Sequence, residues 1–229
     1  MFLANALRLK TNVNPFSLGD ITGLKAWYKF KTGITTSSGN VTNWADSSGN
    51  TSEDMELVNG GTTVPYNSTT GALDFNTTDK GIMGTSSDQL NLGAFTIFGV
   101  VDVVESGAAN EAVLGRAGND EFRLFRGGAS ANARLRANGV NYDINMSSNL
   151  PTSKFLFTLS RASGGTTTIR INGVNKGTVS TTITDLFDFT KIGNGATDCL
   201  VFEVAIYNTE LVSADRDAVE ANINSRNGL

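Results

Sequence analysis

The order of polar and apolar residues predicts a chain made almost entirely of β-strands. Thr166–Ile171 alternates polar and apolar side chains, as a strand with one buried face does. Asn172 and Gly173 follow, and this pair favours a two-residue hairpin turn because both positions accept a positive φ. Residues 174–179 then form the returning strand, and Cys199–Tyr207 is a longer apolar strand.

The same periodicity predicts further strands at short spacing through the rest of the chain. They are residues 24–30, 95–104, 112–116, 121–126, 131–137, 140–146, 154–161 and 189–193. Asn138 and Gly139 mark a second hairpin turn. The final segment differs: Ser213 is suited to cap a helix, and Val219 and Ile223 lie one turn apart on its apolar side. One short C-terminal helix is therefore expected on an otherwise all-β chain.

Several short motifs, in a specific order, resemble the concanavalin A-like lectin/glucanase superfamily, in particular its laminin G-like branch. The matching residues are Leu24, Ala26, Trp27 and Tyr28; Trp44, Asp46, Ser48, Gly49 and Asn50; Ile169, Ile171, Asn172 and Gly173; Lys191, Ile192 and Gly193; Phe202, Glu203, Val204, Ile206, Tyr207 and Asn208; and Leu211. The resemblance covers about residues 22–227. It implies a two-sheet antiparallel jelly-roll sandwich, which is a fold that hosts many functions.

The composition excludes several kinds of site chemistry but does not identify the class of protein. The chain has 229 residues, a net charge of −4 and no histidine. The mild negative charge argues against nucleic-acid binding, and the missing histidine removes the commonest general base and zinc ligand. The single cysteine, Cys199, lies within an apolar strand and is expected to be a buried free thiol. The first residues have no signal-peptide pattern, so the protein is expected to be made in a cytoplasm.

The spacing of acidic residues along the sequence does not match the catalytic carboxylates of a glycanase. Such enzymes need two carboxylates facing one site, and the chain has no E-x-D-x-E run, in which alternate acids would share a strand face. Asp102 and Glu105 are three apart and do not share a strand face. Glu53, Asp54 and Glu56 are expected to be solvated in a loop. The sequence therefore predicts a protein that is not an enzyme, with a glycanase as a weak alternative.

The resemblance raises the possibility of calcium, because many lectin-like members of the superfamily bind it. Asp46, Ser48 and Asn50 could offer three oxygen ligands, and calcium needs several. The alternative is a turn in which Asp46 simply accepts backbone hydrogen bonds. Glu203 is expected either to face solvent or to pair with a basic side chain. No other cofactor is expected.

Arginines concentrate in one part of an otherwise acidic chain. Arg134 and Arg136 share a strand face, and Arg123 with Phe125 could lie beside them on the neighbouring strand. Arginine binds carboxylates and phosphates through paired hydrogen bonds. These four residues are predicted to bind an acidic partner or an anionic glycan, with a solvated sheet face as the alternative.

The first 20 residues are predicted to be an anchoring arm, and residues 21–229 the domain. Phe2, Leu3, Leu7 and Leu9 are apolar, yet their segment is too short to form a core. They either pack on their own domain or anchor the protein to another subunit.

Single laminin G-like domains without a signal peptide resemble structural proteins of tailed bacteriophages. The leading functional prediction is therefore a non-enzymatic virion component on a capsid, tail or fibre surface, with other virion proteins as partners and a possible homo-oligomer. The alternative is a carbohydrate-binding lectin module that recognises a cell-surface glycan, with calcium as a candidate cofactor. Neither nucleic acid nor membrane insertion is expected.

Overall fold

The protein is a sandwich of two antiparallel β-sheets with a helix at its C-terminus. The computed structural model describes residues 16–50, 53–58, 62–75, 81–86, 90–103, 112–116, 120–125, 133–137, 139–162, 165–181, 186–193 and 198–229. The all-β class predicted from the sequence is confirmed, and so is the single C-terminal helix among the described residues.

The strands follow one another in short segments. They are β1 Leu24–Tyr28, β2 Ile34–Ser37, β3 Asn40–Trp44, β4 Met55–Leu57, β5 Tyr66–Asn67, β6 Ala72–Asp74, β7 Met83–Gly84, β8 Asn91–Leu92, β9 Phe95–Val103, β10 Ala112–Arg116, β11 Asp120–Leu124, β12 Ala133–Ala137, β13 Val140–Ile144, β14 Phe155–Arg161, β15 Thr166–Ile171, β16 Val174–Ser180, β17 Phe187–Asp188, β18 Lys191–Ile192 and β19 Cys199–Tyr207. The helix α1 is Ser213–Asn227, and a short 3-10 helix is Leu18–Asp20.

The two large sheets are built from strands that are distant in sequence. The eight-stranded sheet has the order β16-β15-β14-β9-β19-β6-β5, with β1 also paired to β19. The nine-stranded sheet has the order β13-β12-β11-β10-β18-β7-β4-β3-β2. The predicted strand 189–193 is wrong in part, because Phe187–Asp188 pairs with β8 while Lys191–Ile192 joins the nine-stranded sheet.

The main core lies between the inner faces of the two sheets. Trp44 and Phe122 come from the nine-stranded sheet, and Phe95 and Phe157 from the eight-stranded sheet; all four are fully buried. The rings of Phe122 and Phe157 lie 5.0 Å apart across the interface. Cys199 is a buried free thiol in this core, as predicted.

A second core lies between α1 and the other face of the eight-stranded sheet. Val219 and Ile223 of the helix pack with Trp27, Phe98 and Tyr207 of the sheet. The helix begins one residue earlier than predicted: Val212, not Ser213, is its N-cap, and Ser213 is its first residue. No helix within the described ranges is long and apolar enough to cross a membrane.

The predicted arm lies mostly outside the described residues, and Phe2, Leu3, Leu7 and Leu9 all fall there. Its last residues pack on the domain itself. Leu18 is fully buried, and its carbonyl accepts a hydrogen bond from the Tyr207 hydroxyl at 3.0 Å. Ser17 and Asp20 cap the 3-10 helix through reciprocal hydrogen bonds. The part of the arm from Ser17 onward therefore belongs to the second core.

Candidate functional site

The outer face of the nine-stranded sheet carries a continuous row of polar side chains. Alternation along each strand directs residues such as Phe122 and Leu135 into the core, so Glu121 and Arg136 face outward. Register then aligns one outward residue from each strand. The row, called the outer row below, consists of Asn141, Arg136, Glu121, Gly115, Lys191, Gly84, Glu56, Asn43 and Thr35.

The outer row is long enough for an extended ligand. Eight intervals of about 4.8 Å between neighbouring strands give it a length of roughly 38 Å. It alternates hydrogen-bond donors and acceptors, with two glycines near its middle. Gly115 has φ +102°, and a Cβ there would lie 2.2 Å from the carbonyl oxygen of Asp120. The backbone at Gly115 therefore excludes any side chain. As a result, no side chain projects from the sheet at this position near the middle of the row.

The predicted arginine cluster lies on this face and partly within the row. Arg123 stands opposite Arg134, and Arg136 is two residues further along the same strand as Arg134. The Arg134 guanidinium also lies 5.5 Å from the centre of the Phe125 ring. The structure thus brings together all four residues that the sequence placed on one face. Whether they bind a partner remains a prediction.

Two of these arginines have acidic partners. Glu121 accepts from the Nε of Arg123 at 2.6 Å, and both side chains are buried, at 1% and 9% exposure. Arg134 makes a two-point contact with Asp143 on the neighbouring strand. The hydrogen bond to Asp143 is the main reason that the pKa of Arg134 is raised above its ordinary value. The face is therefore a balanced set of ion pairs and not a purely cationic patch.

Arg136 differs from its two neighbours. It makes no ion pair or hydrogen bond with any residue in the described part of the chain, and its Nε is buried without an acceptor. Buried donors in native proteins are nearly always satisfied, so the missing acceptor of this N–H sets Arg136 apart from the other polar residues of the row. This donor lies in the outer row beside Glu121.

The predicted calcium ligands form a closed turn. Asp46 accepts hydrogen bonds from the backbone N–H of Trp27 at 2.6 Å and of Ser48 at 2.9 Å, and from the Ser48 hydroxyl. Asn50 donates its side-chain amide to the carbonyl of Lys25 at 3.2 Å. The oxygens of Asp46 are thus held by donors of the protein, which is the alternative geometry expected from the sequence. No three acidic or thiol side chains of the described residues form a metal-binding group, and calcium remains a prediction.

The acidic residues near this turn differ from expectation. Glu53 was predicted to be solvated but is fully buried, and its carbonyl accepts from the Tyr28 hydroxyl at 2.6 Å. Burial, together with the nearby charges of Asp46, Glu53 and Asp54, raises the pKa of Tyr28 far above its ordinary value. Tyr28 is therefore a fixed neutral donor.

Two further carboxylates are buried beneath α1. Glu203 is fully buried and accepts from the indole Nε1 of Trp27 at 2.7 Å, from Arg226, and from the Asn227 amide at 2.6 Å. It pairs with an arginine, which is one of the two alternatives predicted for it. Glu220 accepts from Thr158 at 2.7 Å and from Arg170. Both carboxylates are saturated by structural donors.

A cleft opens where α1 begins. It has a volume of about 460 Å³, and Asp20, Glu210 and Asp215 bring acidic groups to its lining. Burial and the charge of Asp215 raise the pKa of Tyr207 in the adjacent core. The cleft carries no orphaned donor or acceptor comparable to Arg136.

Of the nine residues in the outer row, the sequence singled out only Arg136 as a candidate binding residue. Lys191, Glu56, Asn43 and Thr35 come from short strands that are far apart in the chain. The only available signal was the polar residue beside each apolar one, such as Lys191 beside Ile192, and this gives no information on which strands are neighbours.

Comparisons with known proteins support the architecture. No protein-family model and no curated protein matches the chain. Among solved structures, the chain is similar to domain 4 of AbnA, a GH43 extracellular arabinanase from Geobacillus stearothermophilus solved with arabinotriose. The TM-score is 0.62 at 18% identity, and the match covers 89% of this chain and 98% of that domain.

Two further neighbours belong to longer proteins. One is botulinum neurotoxin type C, whose cell entry depends on interaction with two ganglioside molecules (TM-score 0.60, 13% identity, 90% of this chain and 52% of that chain). The other is a Trypanosoma rangeli sialidase in complex with 2,3-difluorosialic acid (TM-score 0.57, 18% identity, 90% and 34%). At these identities the likeness establishes the fold alone, which is a two-sheet antiparallel β-sandwich of jelly-roll type. The present chain spans about half and a third of the lengths of these two proteins.

Proposed function

We propose that this protein is a non-catalytic carbohydrate-binding module that holds a saccharide along the outer row. The observation that carries the proposal is the buried Nε of Arg136, a charged donor without an acceptor near the β13 end of the outer row. Asn141 beside Arg136, and Glu56 and Asn43 toward the other end of the outer row, supply further donors and acceptors for hydroxyl groups. The structural neighbours that contain or recognise sugars agree with this chemistry.

The spacing of carboxylates on this face favours binding over hydrolysis. Glu121 and Glu56 are separated by four strand intervals, or roughly 19 Å. A glycosidase needs its two carboxyl groups within about 5 to 10 Å of each other. Glu121 is moreover held by Arg123, and Asp143 by Arg134. A protein that binds and releases its saccharide unchanged fits this arrangement.

The Arg136→Ala variant tests the proposal. A first screen of the unmodified protein on a glycan array, with arabinotriose included, identifies a ligand for titration. We expect Arg136→Ala to weaken binding of that ligand about 10- to 100-fold, because a hydrogen bond to a charged group contributes on the order of 1.5–3 kcal/mol. Isothermal titration calorimetry measures the affinity.

The matched control is Arg216→Ala. Arg216 pairs with the exposed Asp217 on α1, away from the outer row, so its loss should leave affinity unchanged. Both variants are compared by thermal melting before titration. An array on which the unmodified protein retains no glycan, or equal affinities for the Arg136→Ala variant and the parent, would contradict the proposal.

The virion role remains a prediction that rests on the sequence resemblance, and the arm provides its test. Deleting residues 1–15 keeps Ser17 and the buried Leu18, so the domain should melt at an unchanged temperature. If the arm anchors the protein, the truncated form should no longer associate with itself or with particles in analytical ultracentrifugation. A truncated form that unfolds would instead make the arm part of the core, and one that associates as before would remove the anchoring role.

A further inference from the structure

A second group of basic side chains lies on the opposite side of the sandwich, beside the C-terminal end of α1. Its members surround three aromatic rings. The Lys29 ammonium lies 4.8 Å from the centre of the Trp27 ring, and the Arg226 guanidinium lies 5.0 Å from the same ring. Lys154 lies 5.0 Å from the centre of the Phe202 ring. We call Lys29, Lys31, Lys154 and the rings of Trp27, Phe30 and Phe202 the lysine patch.

Two ammonium groups of the patch lie close to the same ring. Lys31 and Lys154 lie 5.3 Å and 5.6 Å from the centre of the Phe30 ring. Phe30 is only partly buried, whereas Trp27 and Phe202 are 6% and 5% exposed. The space around Phe30 is therefore the accessible part of the patch.

The three lysines have no carboxylate partner among the described residues. Arg226 is paired with the buried Glu203, but Lys29, Lys31 and Lys154 make no ion pair there. Lys154 donates to the carbonyl of Asn227 at 2.5 Å and Lys31 to that of Thr69 at 2.7 Å. Partial burial, and then the charge of Lys31, lowers the pKa of Lys154 below its ordinary value. Positive charge is thus gathered here in a chain whose net charge is −4.

The backbone holds Lys31 in an unusual conformation. Lys31 has φ +54°, a left-handed value that is unfavourable for a residue with a side chain. The turn between β5 and β6 packs directly against it, since a Cβ at Gly71 would lie 2.4 Å from Phe30 and 2.8 Å from Lys31. Such strain persists where the surrounding structure fixes it, and it is common at ligand sites.

We infer that the lysine patch binds the acidic group of a glycan, a sugar carboxylate or sulfate, between the ammonium groups of Lys31 and Lys154. An anion at this point relieves the repulsion between the exposed Lys31 and the partly buried Lys154. The rings and carbonyls fix both ammonium groups in advance, so little side-chain ordering is needed on binding. The inference deepens the proposed carbohydrate-binding function by adding a second subsite, on the opposite face to Arg136.

The test compares acidic and neutral oligosaccharides on the full chain. The probes are trigalacturonate, 3′-sialyllactose and a heparin-derived tetrasaccharide, with trigalacturonate methyl ester and lactose as neutral counterparts. We expect at least one acidic probe to bind about tenfold or more tightly than the neutral ones at low salt, and this preference to fall as salt is added. The Lys31→Gln/Lys154→Gln variant should lose the preference.

The control variant Lys176→Gln/Arg216→Gln removes the same charge elsewhere and should keep the preference. Lys31→Gln alone retains the contact of Lys154 with α1 and should lose part of the preference for acidic sugars. This single variant keeps the test valid if the double variant does not fold. Equal binding of acidic and neutral sugars, or acidic binding unchanged by the lysine substitutions, would overturn the inference. So would binding to phosphatidylserine vesicles without binding to any acidic oligosaccharide.

The two proposals fail separately. Neutral glycan binding that depends on Arg136 but shows no acidic preference would remove only the lysine patch. Acidic glycan binding that depends on Lys31 and Lys154, and is unaffected by Arg136→Ala, would remove only the outer row.

Discussion

Replacing Arg226 by methionine is expected to lower the free energy of unfolding by about 3–5 kcal/mol. The substitution removes the cationic partner of Glu203, a carboxylate with 0% exposure. Among the described residues, Trp27 and Asn227 would then be its remaining donors. A buried charge without its counter-ion is strongly destabilising, while methionine keeps much of the packing against the Trp27 ring. Urea unfolding followed by tryptophan fluorescence measures the loss.

A matched pair of variants separates this effect from a general loss of charge. Arg216→Met removes a guanidinium whose partner Asp217 is 58% exposed, and it should cost about 0–1 kcal/mol. Adding Glu203→Gln to Arg226→Met should restore part of the stability, because a neutral amide replaces the unpaired carboxylate. A loss of less than about 1 kcal/mol in Arg226→Met, or no restoration in the double variant, would contradict a structural role for the pair.

The long strands could be predicted from the sequence because each is an uninterrupted run of one pattern, alternating in Thr166–Ile171 and almost continuously apolar in Cys199–Tyr207. Thr166–Ile171 and Cys199–Tyr207 have the predicted bounds. The two- and three-residue strands, such as Met83–Gly84, are too short to show a period. The hairpin that joins β2 and β3 was missed, although Ser38 and Gly39 have the positive φ values of a two-residue turn.

Alternation failed where the pairing is irregular. A register shift between Val201 and Glu203 interrupts the pairing of β19 with β9, so the face on which Glu203 lies could not be counted from its neighbours. The sequence could therefore offer only solvent or a basic partner for this residue. The partner, Arg226, comes from the helix 23 residues later.

In the candidate site, residues of one strand or hairpin could be placed from the sequence, whereas residues of strands that are distant in the chain could not. Arg134 and Arg136 share a face because they are two residues apart on one strand, which a sequence reveals. The partner of Arg134 could also have been derived: a tight turn at Asn138 and Gly139 pairs Ala137 with Val140, and hence Arg134 with Asp143. Lys191 and Glu56 could not be placed, because the order of β10, β18, β7 and β4 depends on long-range packing.

Placing a methyl group at Gly99 should also destabilise the fold strongly. Gly99 lies in the central strand β9, opposite Phe157 on one side and Val204 on the other. A Cβ at this position would lie 2.3 Å from Cε1 of Phe157 and 2.4 Å from its Cζ. The ring cannot retreat, because Phe157 is fully buried and contacts Phe122. We expect Gly99→Ala to cost about 1–3 kcal/mol, measured by urea unfolding.

Gly19→Ala is the control for this substitution. Its Cβ would meet only the Ser17 hydroxyl at 3.8 Å, so stability should stay within about 0.5 kcal/mol of the parent or rise slightly. Combining Gly99→Ala with Phe157→Leu should cost less than the sum of the two single losses, because the smaller side chain makes room for the methyl group. Strictly additive losses would show that the ring does not oppose the methyl group, and that Gly99 is needed for another reason.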